Sequence, residues 1–234
     1  QQRLVPHSCG HRLCPHCHVG ANLVPVEATP DDARAFAERA MTRSRSVSTI
    51  VGPHDAVEVF WNTVSSAWDR PRELRWHQPH LEIDRAPAVE GHPDVRRTTR
   101  WDLDSLYPAC VAMYTEEVGV SPEVGGGAEL YRARVQQLIS RGWSFARFEG
   151  DQLVFKAEVA CASPYAAQIQ GVFVPPDRRG EGLAVSGMAA VVDLVRREIA
   201  PTVSLYVNEW NTPARRAYER VGFRESARFS TVMF

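Results

Sequence analysis

Residues 170–184 read QGVFVPPDRRGEGLA: a β-type apolar run ends in Pro175 and Pro176 and gives way to a glycine-rich arginine loop. Downstream, Met188, Val191, Val192, Val195 and Ile199 recur at steps of three and four, which predicts an amphipathic helix with one buried stripe. The unit is therefore strand, loop, helix. Gly180 and Gly182 leave backbone N–H groups uncovered by side chains, and the first helical turn adds donors that have no intrahelical partner. With the positive end of the helix dipole, these groups make a pocket for a polyanion such as a pyrophosphate.

A chain of 234 residues can bury a substantial core as one large domain or two small ones. Its formal net charge of -1 carries no electrostatic footprint of a binder of nucleic acid or of an anionic membrane. No apolar run approaches the length of a bilayer span. The opening QQRLVPHSCG lacks a basic start followed by an apolar core, so no signal peptide is expected. The first residue is Gln and not Met, from which a missing or processed N-terminus is expected. Five unevenly spread cysteines favour a reducing, cytoplasmic setting over a secreted disulfide framework.

Residues 7–18, HSCGHRLCPHCH, concentrate cysteine and histidine. Cys14 and Cys17 have the spacing of one zinc knuckle, but a closed site joins two such pairs, and no second pair follows. The alternative is a hairpin whose second strand runs from His18 to Val26, and no metal is expected. Beyond it the pattern gives strand 21–26, helix 31–41 with an acidic start at Asp31 and Asp32, strand 46–52, helix 56–68 and strand 73–83. Val57, Phe60, Trp61, Val64 and Trp68 share one face of the second helix. Between the first strand and helix of this half stands EATPDD, whose carboxylates would repel a phosphate, so this half is assigned no cofactor. Residues 85–94, RAPAVEGHPD, have no periodicity and read as a linker.

The second half restarts with a strand at 95–99, a helix carrying Leu103, Leu106, Tyr107, Cys110, Val111 and Tyr114, a loop at 115–127 and a helix at 128–140. Two strands meet at Gly150-Asp151, and Phe155, Ala157 and Val159 alternate with Lys156 and Glu158. A strand at 168–174 leads into the arginine loop and its helix. The strand TVSLYVN, 202–208, is followed by Asn211 and Thr212 as caps, Pro213 at the first helical position, and a helix that Gly222 ends. The strand ARFSTVMF closes the chain.

Arg179-Gly180-Glu181-Gly182-Leu183-Ala184 resembles the R-x-x-G-x-A loop of the GCN5-related N-acetyltransferases, the GNAT superfamily. Asn211-x-x-Ala214-x-x-x-Tyr218-x-x-x-Gly222-Phe223 is similar to that family's second motif, and each copy sits at a predicted strand-to-helix junction. The likeness covers residues 94–234, and the whole layout resembles an actinobacterial tandem type with a degenerate N-terminal half. The fold this implies is α/β (α+β): two GNAT-like domains, 1–90 degenerate and 94–234 binding acetyl-CoA. Each has a mixed, mostly antiparallel central sheet flanked by helices.

The resemblance implies an acetyl-CoA-dependent N-acetyltransferase in which the amine of a small molecule or protein attacks directly. Arg179, Gly180, Glu181, Gly182, Leu183 and Ala184 would hold the pyrophosphate, and the edge Gly171, Val172, Phe173 and Val174 would pair with the pantetheine as a false strand. Asn208, Asn211 and Ala214 complete the expected cofactor contacts. A backbone N–H at Val172 or Phe173 would face the oxyanion. Tyr218, with a reference pKa near 10 against about 8.5 for a thiol, can protonate the leaving thiolate. Glu116, Glu117 and Glu158 are candidate general bases, and Lys156 with Glu158 reads alternatively as an ion pair. Cys110 and Cys161 read as packing residues. Two other classes stand beside the enzyme: a non-catalytic acyl-CoA sensor, and a metal-binding interaction module. A monomer or homodimer is expected, with neither nucleic acid nor membrane as partner.

Overall fold

A computed structural model describes residues 2–4, as backbone, and residues 15–234. The elements in chain order are β1 (Gln2–Leu4), β2 (His16–Val19), β3 (Asn22–Val26), α1 (Pro30–Met41), β4 (Thr49–Pro53), α2 (His54–Val64) and β5 (Glu73–Ile83). Then come β6 (Arg96–Arg97), α3 (Leu103–Val118), α4 (Ala128–Ser140), β7 (Ser144–Glu149), β8 (Gln152–Ala162) and β9 (Ala166–Phe173). The chain ends with α5 (Leu183–Glu198), β10 (Thr202–Tyr206), α6 (Thr212–Val221) and β11 (Arg224–Met233). It forms two compact units. One comprises Gln1–His80, Tyr206–Trp210 and Glu225–Phe234, the other Leu81–Leu205 and Asn211–Arg224.

In the first unit the strands lie in the order β1-β2-β3-β4-β11-β5. β3 and β4 are parallel, while β1/β2, β2/β3 and β4/β11 are antiparallel. The stripe Val57, Phe60, Trp61 and Val64 of α2 is buried with Phe36 of α1, Leu23, Ile50 and Val232, and Trp68 packs against the same cluster. Burying each such side chain contributes roughly 1.5–3 kcal/mol. The hairpin differs from the expected one. The chain turns at Gly20, so that His16–Val19 pairs with Asn22–Val26 instead of running into it. Residues 7–14 of the Cys/His stretch lie outside the described residues. Cys17 is buried, and burial pushes its thiol up to about 12.

In the second unit the order is β10-β9-β8-β7-β6, with β9 and β10 parallel and the other pairs antiparallel. Helix α5 packs on β7, β8 and β9; α3 packs on β8 and β9, with α4 beside it. The close seat of α5 depends on Gly187, where a Cβ would stand 2.7 Å from the Phe155 ring. Leu103, Leu106 and Cys110 of α3 meet Val135, Ala146, Leu153 and Phe173 in the second core. Because helices cover both faces of β8, Lys156 is as buried as Phe155, although the two alternate along the strand.

Two further differences bear on the site. Helix α3 does not stop at Tyr114. It continues to Val118, where Gly119 at φ 78° provides the left-handed cap, so Glu116 and Glu117 stand on its last turn and not in a loop. Residues 85–94 are not a free linker: Ala88 N–H donates to the Val221 carbonyl at 2.8 Å, His92 N–H donates to the Ser186 carbonyl at 3.0 Å, and Gly91 lies against Ala190 of α5.

Candidate functional site

Strand β9 is paired unequally on its two edges. Its antiparallel ladder with β8 extends to Phe173, whereas the parallel ladder with β10 ends at Gln168↔Ser204. The edge from Ile169 to Phe173 thus leaves its β10 neighbour, and an open strand edge is a row of backbone donors and acceptors suited to an extended ligand. Past the strand, Arg179 to Gly182 turns into α5 with Gly180 at φ 86° and Gly182 at φ 80°. A Cβ at either glycine would meet nothing within 4 Å, so it is backbone conformation and not crowding that calls for glycine here. No side chain caps the N-terminus of α5. The N–H groups of Leu183 and Ala184 stand at this uncapped end, where backbone donors suit an anion, while those of Val185 and Ser186 bond the Gly182 carbonyl.

The equivalent junction in the first unit is closed by its own residues. There the Thr29 hydroxyl accepts from Asp32 N–H at 3.2 Å, and the Asp32 carboxylate accepts from Thr29 N–H at 3.0 Å, a reciprocal cap on α1.

The loop arginines are tied to carboxylates. Arg178 binds Glu181 and, through Nη1, Glu149 at 2.9 Å, and these hydrogen bonds hold its guanidinium above its ordinary pKa. Arg179 donates from Nη2 to Glu116 at 2.7 Å and from Nε to the Val174 carbonyl at 3.1 Å. Asn211 caps α6, its Oδ1 accepting from Ala214 N–H at 3.2 Å. One face of α6 carries Tyr218, which is buried and meets the Phe223 ring edge-on. Burial first, then the negative charge of Glu117, raises the Tyr218 phenol above its usual pKa, so it stays protonated at neutral pH.

Glu158 is buried between Lys156, at 3.2 Å, and Gln170, which donates to it at 2.9 Å. Val172 and Val174 are half-buried, and Phe173 is buried beneath the Arg179 guanidinium, 5.9 Å from its ring centre. Asn208 belongs to the first unit, where its buried carboxamide accepts from Gln78 at 2.9 Å. The second unit thus brings together the glycine loop, the open edge of β9, Asn211, Ala214, Tyr218 and the three glutamates.

Comparison with known protein families matches two separate stretches of the chain. A domain of unknown function (DUF4081) matches residues 4–106, and the FR47-like protein family matches residues 151–232, which span the β9 edge, the glycine loop and α6. A mycothiol acetyltransferase of Brachybacterium faecium is 31% identical over 166 residues, 67% of this chain and 48% of that protein. One from Clavibacter sepedonicus is 30% identical over 142 residues, 61% of this chain and 38% of that protein. The chain spans about half or less of the length of these relatives. In fold it is similar to a GNAT-family acetyltransferase from Colwellia psychrerythraea, with TM-score 0.59, 14% identity and coverage of 95% and 82% of the two chains. A tandem GNAT protein from the clavulanic acid pathway is similar with TM-score 0.53, 13% identity and coverage of 97% and 81%. Residues 151–232 thus resemble the FR47-like family, and the fold is that of the GNAT acetyltransferases.

The sequence names Gly171 as strand edge and Lys156 as an ion-pair partner of Glu158, a pair the structure contains, but it shows neither the bulge at the first nor the burial of the second. Gly171 at φ 60° is the pivot of a bulge in β9, and Lys156 donates to its carbonyl at 3.0 Å. A glycine inside a strand pattern is the signal for the first. No local signal reports that a helix covers the second face of β8. Among the described residues, no group of three His, Cys, Asp or Glu side chains could hold a metal ion, and no helix is long and apolar enough to cross a membrane.

Proposed function

We infer that this protein is an acetyl-CoA-dependent N-acetyltransferase whose acceptor is an amine, with the second compact unit as its catalytic half. The observation that carries the reading is the divergence of β9 from β10 after Gln168, directly upstream of the left-handed glycine loop and the uncapped N-terminus of α5. These residues fit acetyl-CoA. Arg179 to Ala184 offer N–H groups and positive charge to the pyrophosphate, and the β9 edge at Val172 to Val174 offers strand pairing to the pantetheine. Asn211 and Ala214 fix the start of α6 beside them.

Bound acetyl-CoA supplies a thioester whose carbonyl carbon accepts the neutral amine, a C–N bond forming as the C–S bond breaks. The N–H of Val172 or Phe173 faces the carbonyl oxygen as negative charge collects there. Tyr218 gives its proton to the departing sulfur, and its raised pKa keeps that proton in place until the thiolate needs it. Among the carboxylates, Glu117 is the one whose charge acts on Tyr218, and it takes the proton that the amine loses. The names of the curated relatives support acetyl transfer, and a small-molecule amine is the acceptor class we infer. The first unit, with its self-capped α1, serves as a degenerate partner domain of a tandem arrangement.

Calorimetry with acetyl-CoA, followed by a free-thiol release assay over small amines and peptide amino termini, tests this. Binding with amine-dependent thiol release is expected. No binding overturns the reading, and binding with no turnover on any amine gives the protein a sensor's role instead.

A further inference from the structure

The ion pair Lys156–Glu158 sits where ion pairs are rare. Lys156 is fully buried, and its ammonium donates to Glu158 Oε2 at 3.2 Å and to the Gly171 carbonyl at 3.0 Å. Glu158 is held in turn by Gln170 at Oε1, 2.9 Å away. Burial, the largest single influence, pushes the ammonium toward neutrality, but the charge and hydrogen bond of Glu158 together with Cys110 outweigh it and raise the Lys156 pKa.

The cluster lies against a break in the β8–β9 register. Lys156 is opposite Phe173 and Glu158 is opposite Gln170, so the single residue Ala157 spans two, Gly171 and Val172. A Cβ at Gly171 would stand 3.0 Å from Glu158 Cδ and 3.1 Å from Lys156 Nζ. The bulge glycine and the ion pair therefore require each other. As a source of stability such a pair is poor, since desolvation consumes most of the Coulombic gain and an apolar pair would serve as well. An apolar pair cannot satisfy a carbonyl that the bulge has turned out of the ladder.

We propose that Lys156 and Glu158 are positioning residues: by holding the Gly171 carbonyl they fix the bulge in β9, and so the direction of the Val172 and Phe173 N–H groups that face the reacting carbonyl. This rests on the acetyl-transfer reading and withdraws Glu158 from the candidate bases. The pair acts on the rate of the chemical step, while acetyl-CoA is held mainly by the loop and the strand edge.

The double variant Lys156→Met/Glu158→Met keeps the volume and removes both charges. Relative to wild type, acetyl-CoA affinity by calorimetry is expected to stay within about threefold while kcat falls at least about tenfold. An unchanged kcat overturns the proposal. Glu158→Gln gives an independent reading in a milder variant. It retains an oxygen for Lys156, so kcat is expected to fall about three- to tenfold at every pH, with the acid limb of kcat/KM unmoved. Loss of that limb would make Glu158 the base and overturn the positioning role. Failure of wild-type protein to bind acetyl-CoA would instead strike the underlying reading, which separates the two outcomes.

Discussion

Glu116 accepts a hydrogen bond from Arg179 Nη2 at 2.7 Å and so ties the last turn of α3 to the glycine loop. Both side chains are about half exposed, at 55% and 46%, so the pair is worth less than about 1 kcal/mol. A polyanion at the loop therefore competes easily for Arg179. Glu116→Gln is expected to tighten acetyl-CoA binding about two- to fivefold at low ionic strength, with the gain shrinking in concentrated salt. Calorimetry at two salt concentrations measures this. The same variant should keep kcat within about twofold, and a hundredfold loss would return Glu116 to proton transfer.

Tyr218→Phe removes the hydroxyl proposed as proton donor while leaving the ring in place. The expected result is a fall in kcat of about a hundredfold with little change in KM for acetyl-CoA, read by thiol release. The phenol also links stability to pH. Burial and the Glu117 charge raise its pKa in the folded protein, so its contribution is complete below about pH 10 and is lost as pH rises through the raised value. Denaturant titrations of wild type and Tyr218→Phe at neutral and strongly alkaline pH should show the variant losing less stability.

Gly182→Val tests the loop itself. A β-branched residue at φ 80° costs roughly 1–2 kcal/mol, and the loop relaxes to avoid it. Acetyl-CoA KM should rise about tenfold, with kcat at saturation little altered. An unchanged KM would remove the loop from the cofactor site.

Asp102 is a probe of the acid side. The hydrogen bond from Arg96 is the chief cause that lowers its pKa to about 2, opposed by burial and assisted by Thr99. A lowered folded pKa means stability present above the unfolded value near 3.9 and lost as pH falls toward 2. Asp102→Asn should therefore cost about 1 kcal/mol at pH 7 in urea denaturation, and should blunt the acid loss of stability.

Much of the local structure around the glycine loop was legible because its signals are local. A glycine at positive φ, a proline after a strand and an asparagine cap each act within a few residues. The loop at Gly180 and Gly182 and the cap of Asn211 on Ala214 follow from them. The end of α3 was not legible in the same way. The composition of 115–127 suggests a loop throughout, but the helix is stopped by the one residue that adopts the left-handed cap, Gly119. Burial of Lys156 depends on helices from both sides, and alternation along β8 says which residues share a face without saying what covers it. The membership of β11 in the first unit rests on pairing between residues some 180 positions apart, Ser230 with Gly52, and no short window of sequence contains both.

That last pairing sets a timetable for the nascent chain. In the first unit β11 lies between β4 and β5, so a ribosome that has made residues 1–83 has supplied both neighbours of a strand that does not yet exist. Until residues 225–233 emerge, two strand edges must wait unpaired through the synthesis of the whole intervening chain. During that interval they are open to any other edge in the cell, and chaperone dependence during expression and intolerance of C-terminal trimming are the traits such a sheet order imposes.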